Sequence, residues 1–240
     1  MSVFRDLKNH NPCAKSSKTM KLGGFLADTN YKIGDTLYVW AKSGLKLRSS
    51  PNTKSNIIQA LVTGTEVKVI EKTNKNFAYK LYEASKYEKH PFLLYGKWVK
   101  IEANGNTGYV FDSFLLKIPI KSGFKFENFI ATITLSLDTL KLNNQCAKPD
   151  VKRICKYGIE YKDSCREIYG DMELTFSNWT IEEVVIFWEF FANYEYSSRL
   201  ERGMLLEKNW RNIVTLNDNM ETCTIMKKSN QIKLYFIWSC

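Results

Sequence analysis

The chain has 240 residues, 44% of them apolar, and a formal charge of +10. That length and composition build one large or two modest globular domains and exclude wholesale disorder. No apolar run approaches the roughly 18 residues that cross a bilayer as a helix; Ile181 to Ala192 comes nearest and is broken by Glu182, Glu183 and Glu189.

The charge is uneven. Residues 1–30 carry 5 Lys/Arg against 2 Asp/Glu, residues 31–117 carry 14 against 7, and residues 118–240 carry 16 against 16. The whole excess lies in the N-terminal half. It suits a polyanionic partner, or more simply strands that use lysine for solubility and to blunt their edges. The six cysteines (Cys13, Cys146, Cys155, Cys165, Cys223, Cys240) have long, irregular spacings and no C-x-x-C pair. A zinc site needs close ligand pairs, so none is expected. Disulfides and buried free thiols both stay open.

Residues 1–34 have no hydrophobic period and read as a flexible tail. Within them Met20 to Ala27, ahead of Asp28, has a basic start and small residues but no continuous apolar middle, so no intact signal peptide is visible. Strands begin at Asp35. Leu37-Tyr-Val-Trp-Ala41 alternates, Lys42-Ser-Gly44 turns it, and Leu45 and Leu47 then share one face while Lys46 and Arg48 share the other. Ser49 to Ser55 is a loop of turn residues, and Ile57 to Thr63 returns. Gly64-Thr65 turns again, and Glu66 to Glu71 places Val67 and Val69 together. Lys97–Ala103 and Thr107–Phe111 form a hairpin across Asn104-Gly105-Asn106, because Asn-Gly tolerates positive φ.

The succession Leu45-Lys-Leu-Arg-Ser-Ser-Pro51, Gly64-Thr-Glu-Val-Lys-Val69, Trp98-Val-Lys-Ile101, Asn104-Gly-Asn-Thr-Gly-Tyr-Val110 and a closing Phe114-Leu115 resembles the bacterial SH3 domain. The resemblance covers residues 36–117. It implies a small, partly open β-barrel that binds or targets, often on exported proteins that touch peptidoglycan, and that is not itself catalytic. By the same resemblance the protein is expected at the cell envelope or secreted. The departure from the family pattern is Lys72 to Tyr95, with four tyrosines, five lysines and two glutamates. Interleaved charge and aromatics can clamp a nucleic-acid strand, but an elongated hairpin is the simpler reading, and nucleic acid is not the expected partner. The candidate ligand-binding residues are Trp40, Arg48, Tyr95, Trp98, Tyr109 and Phe111, an aromatic set of the kind that lines peptide grooves. Against this stand core packing for the aromatics and, for Arg48, a structural fork onto loop carbonyls.

Pro119 and Lys121-Ser-Gly123 mark a boundary, after which residues 124–240 read as an α+β domain. Phe124–Leu142 is β-branched and reads as strand; Lys156–Tyr161 and Asp171–Phe176 alternate as a further pair. Thr180 and Glu183 form a capping box opening an apolar helix, with Trp179 and Val184 as its staple and a sheet as its seat. Ser197–Glu207 reads as a second, shorter helix, and Met220–Lys227 with Gln231–Trp238 as a closing hairpin. The chain is therefore mainly β: a tail over 1–34, an SH3-like barrel over 35–118 with an insertion at 72–95, and an α+β domain over 124–240.

Residues 118–240 contain no histidine, which removes a Cys-His pair, a Ser-His-Asp triad and histidine-ligated zinc from that half. A glycosidase needs only two carboxylates, and Glu160, Asp171, Glu173, Glu182, Glu183 and Glu189 are candidates by type, although helix capping better explains Glu182 and Glu183. No phosphate-binding loop and no cofactor motif is present. The expectation is a non-catalytic binding protein for cell-wall glycopeptide or a protein partner. The alternative is a carboxylate-dependent cell-wall hydrolase targeted by the barrel.

Overall fold

The computed structural model describes residues 31–141, 150–165, 169–195, 205–210, 213–217 and 221–239. Its first part comprises β1 (Thr36–Val39), β2 (Leu45–Arg48), β3 (Ile57–Leu61), β4 (Glu66–Tyr82), β5 (Phe92–Ala103), β6 (Asn106–Phe111), a 3-10 turn (Asp112–Phe114) and β7 (Leu115–Leu116). These form a seven-stranded sheet in the order β3-β2-β6-β5-β4-β1-β7. The sheet curls so that one residue in two faces inward. Leu37, Val39, Leu47, Val69, Val99 and Val110 are among the side chains that fill the interior. Asn104 and Gly105 both take positive φ, at 50° and 75°, which matches the twist of a two-residue hairpin between β5 and β6. Gly64 (φ 83°) donates its N–H to the Val39 carbonyl at 2.8 Å, and a Cβ there would run into the Ile120 carbonyl.

The segment that departs from the family pattern is an elongated hairpin, continuous with the barrel's own strands. It prolongs β4 to 17 residues and β5 to 12, so the two run on past the barrel. Their pairing shifts register between Val69 and Glu71, Lys72 and Asn76, and Lys80 and Tyr82. Such bulges bend and twist a ribbon.

The second part contains α1 (Phe126–Ile133), β8 (Thr134–Lys141), β9 (Asp150–Cys155), β10 (Ile159–Cys165), β11 (Tyr169–Ser177), α2 (Ile181–Glu195), β12 (Leu205–Trp210), β13 (Ile213–Asn217), β14 (Glu221–Lys228) and β15 (Gln231–Ser239). Its eight strands are antiparallel throughout, in the order β12-β13-β14-β15-β11-β10-β9-β8.

Two expectations for this half are corrected. Phe124–Leu142 is not all strand, because its first part is α1. Phe126, Phe129, Ile130 and Ile133, at positions i, i+3, i+4 and i+7, are all buried, and that apolar stripe outweighs the β-branched composition. Lys156–Gly158 is a 3-10 turn with Tyr157 and Gly158 at φ 63° and 72°, so the strand expected from Lys156 begins at Ile159. Of the second helix expected over Ser197–Glu207, residues 197–204 lie outside the described residues, and Leu205–Glu207 belong to β12. Most of the expected tail, residues 1–30, also lies outside them. Tyr31 is buried, and its hydroxyl donates to Asp112 Oδ2 at 2.8 Å.

Helix α2 begins as its sequence dictates. Thr180 N–H donates to Glu183 Oε2 at 2.7 Å, and Glu183 N–H donates back to Thr180 Oγ1 at 3.1 Å. From Val184 to Trp188, and again at Phe190 and Phe191, every side chain is buried. A helix buried over so much of its surface needs neighbours on both sides. Trp188 packs on Phe236 of β15 (4.8 Å between rings), and Phe187 on Phe176 of β11 (5.3 Å). On its other side Phe187 stacks on Trp40 at 5.7 Å, and Phe190 meets the same ring at 5.2 Å. The helix thus lies between the barrel's outer surface and the second sheet, and one continuous hydrophobic core joins all three.

Candidate ligand-binding groove

Residues that do not fill the barrel face outward, and on one side they meet α2. Trp98 of β5 and Phe111 of β6 are register partners. The ring of Phe77, from the extended β4, lies 5.6 Å from Trp98 and perpendicular to Phe111 at 5.0 Å. Tyr79 adds an edge-on contact with Phe114 at 5.3 Å. Between this aromatic floor and the helix runs a groove of about 690 Å³, a volume in the range of small-ligand and short-peptide sites.

The rims differ in charge. Lys42, Lys46 and Arg48 line the groove at the β2 side, while Ile186, Glu189 and Phe190 of α2 close the other. Arg48 Nη1 donates to the Ser55 carbonyl at 2.7 Å, which fixes the β2–β3 loop. The remaining guanidinium N–H groups have no protein acceptor among the described residues. Glu189 accepts a short hydrogen bond from the Tyr82 hydroxyl at the far end of β4. Burial, and then the charge of Glu189, hold the Tyr82 phenol well above its ordinary value, so it stays a donor.

Four of the six sequence-predicted site residues, Trp40, Arg48, Trp98 and Phe111, line this groove. Trp40 is 1% exposed and its indole N–H donates to the Ile118 carbonyl at 2.8 Å, so it is the groove's packed base. Tyr95 and Tyr109 lie outside the lining. The Tyr95 carbonyl accepts from Ser113 Oγ at 3.0 Å, and the Tyr109 ring faces the Lys100 ammonium at 5.9 Å. Sequence reasoning missed Phe77, Tyr79 and Leu81, although their alternation was visible, and it missed the whole α2 wall.

Behind the floor, Asp112 opens the 3-10 turn that follows β6. Its carboxylate accepts the Lys97 N–H at 2.8 Å and the Tyr31 hydroxyl at 2.8 Å. Burial pushes its pKa up to about 6, against the lowering effect of those two bonds. Gly96 fits beside it only because it lacks a Cβ, which would strike Ser113 and Asp112.

The other chemical candidates are engaged elsewhere. Glu160 pairs with Lys152 and Lys162, each at 3.3 Å, and Glu173 with Lys233 at 2.6 Å, on strands of the second sheet. Glu183 serves the α2 cap. Cys155 and Cys223 are buried free thiols whose pKa values burial raises, the opposite of what a nucleophile needs. The side chains of Cys13, Cys146, Cys165 and Cys240 lie outside the described residues. Among the described residues no group of His, Cys, Asp and Glu could hold a metal ion, and no helix is long and apolar enough to cross a membrane.

The chain matches no curated protein and no solved structure. Residues 43–115 match the model of one family, described as the bacterial SH3 domain. The matched segment runs from the β1–β2 turn to β7, and so includes the aromatic floor and the Arg48 rim but not α2. Residues 43–115 of this chain are a bacterial SH3 domain, a binding and targeting module of a kind common in cell-wall-associated proteins.

Proposed function

We propose that this is a non-catalytic binding protein that takes up cell-wall glycopeptide in the groove between its SH3 barrel and α2. The observation that carries the reading is the groove itself. The exposed ring of Tyr79 and the half-buried rings of Phe77 and Phe114, packed on the buried Trp98 and Phe111 and rimmed by lysine and arginine, offer the flat apolar contact and polar donors by which extended chains are held. The family resemblance supplies the cell-wall source, and with it an envelope location. Cosedimentation of the full chain with purified cell wall tests this. Tyr79 is 44% exposed and lines the groove, so Tyr79→Ala should keep the fold and weaken retention. The reading fails if the wild-type chain stays in the supernatant, or if Tyr79→Ala and Lys46→Ala are both retained like wild type.

A further inference from the structure

Two of the groove's cations stand on one strand. Lys46 and Arg48 are alternate residues of β2, so both project from the same face of the sheet, with Cα atoms about 7 Å apart. That face is the barrel's outer one, because Leu45 and Leu47 are buried in its interior. Arg48 is opposite Tyr109 of β6, and the Trp98–Phe111 pair of β5 and β6 lies two residues further on. In antiparallel strands the same step leads back from Arg48 to Lys46, which places Lys46 beside the aromatic floor. Neither cation is neutralised within the described residues. The one bond of the Arg48 guanidinium goes to the uncharged Ser55 carbonyl, and Lys46 is exposed and has no ion pair among the described residues. The carboxylate that lines the groove, Glu189, is on the opposite wall and is bonded to Tyr82.

We infer that Arg48 and Lys46 form the seat of a carboxylate, and that the groove reads a free peptide carboxylate together with the apolar side chain next to it. The inference rests on the groove being the ligand site, and adds which part of the glycopeptide enters it. The Ser55 carbonyl holds Arg48 by Nη1, which leaves Nε and Nη2 as a planar fork that matches two carboxylate oxygens. Lys46 adds a point charge on the same face. The apolar part of the ligand then lies between Phe77 and Tyr79 of the floor and Ile186 and Phe190 of α2. A neutral sugar in the same place would leave both cations without a counter-charge. A phosphate polymer fits poorly, because its charges repeat along the chain. Past β2 the groove is lined by rings and aliphatic groups, and its far wall carries Glu189.

Cosedimentation of the full chain with purified cell wall in three forms tests the assignment: untreated, with its carboxylates amidated by carbodiimide and ammonia, and with its phosphate polymers removed by hydrofluoric acid. Amidation should weaken apparent affinity roughly tenfold, the scale of one lost charge-assisted hydrogen bond, and removal of phosphate should leave it unchanged. Lys46→Gln, at an exposed position, should keep the fold and weaken binding to untreated wall about two- to fivefold, the worth of an exposed charge pair. Its loss on amidation should be correspondingly smaller than that of wild type. Lys228→Gln removes the same charge from an exposed position at the end of β14, outside the groove, and should bind like wild type. Arg48→Lys keeps the charge without the fork and should also bind less tightly than wild type. The inference is overturned if amidated wall binds as well as untreated wall, if removal of phosphate abolishes binding, or if Lys46→Gln loses no more than Lys228→Gln. In each of these cases a loss of retention in Tyr79→Ala still upholds the groove as the site. If untreated wall does not retain the wild-type chain, both readings fall.

Discussion

Replacing Asp112 by asparagine should stabilise the protein at neutral pH. Asp112 is 2% exposed, and its pKa is raised to about 6 from an ordinary value of 3.8. The folded state thus holds the proton more tightly than the unfolded chain does. Stability is fully present below pH ~4 and is lost as pH rises through about 6, because there the unfolded chain ionises more cheaply. A shift of about two units corresponds to about 3 kcal/mol between the two plateaus. Asparagine imitates the protonated carboxyl in shape and keeps an acceptor for the Lys97 N–H and a partner for Tyr31. Urea unfolding followed by tryptophan fluorescence at intervals from pH 4 to 8 reads this directly. The wild-type and Asp112→Asn curves should lie close together near pH 4 and separate by up to about 3 kcal/mol by pH 7. If Asp112→Asn is instead the less stable protein at pH 7, the Tyr31 and Lys97 bonds to the ionised group outweigh its burial, and the reasoning is wrong.

Other outcomes follow from particular contacts. Gly64→Ala forces a side chain into φ 83° and against the Ile120 carbonyl, and should cost about 2 kcal/mol or more in the same unfolding assay. Thr180→Ala removes the acceptor of the Glu183 N–H and should cost about 1 kcal/mol, whereas Thr180→Ser should recover most of it. The indole N–H of Trp40 is bonded to Ile118, while that of Trp188 is buried with no partner among the described residues. Both residues lose similar volume on change to phenylalanine, so Trp40→Phe should be the costlier by about 1–2 kcal/mol. Equal losses would mean that the Trp40 bond contributes nothing.

The parts of this fold that could be read from sequence are those fixed by neighbours along the chain. Asn104-Gly105 announces its hairpin because both residues accept positive φ. Thr180 and Glu183 announce α2 because a capping box closes within one turn. The fork from Arg48 to Ser55 spans seven residues and was also legible. Helix α1 was misread because β-branched content was weighed above the i, i+3, i+4, i+7 stripe of Phe126, Phe129, Ile130 and Ile133. The groove was half legible. Its floor follows from strand alternation, but its second wall depends on contacts such as Tyr82 with Glu189, 107 residues apart, and no local pattern encodes them.

Because Trp40 stacks on Phe187, and Phe187 meets Phe176 edge-on, cutting the chain at the barrel boundary would strip one face of α2 and lay its aromatic rings open to water. The barrel is therefore no detachable adaptor on a string. A ligand gripping β2 at one end and α2 at the other would act as a tie-rod across the two sheets. Its binding free energy would then appear as a rise in melting temperature of the whole molecule, in a single transition, with strands that never touch the ligand melting later along with those that do.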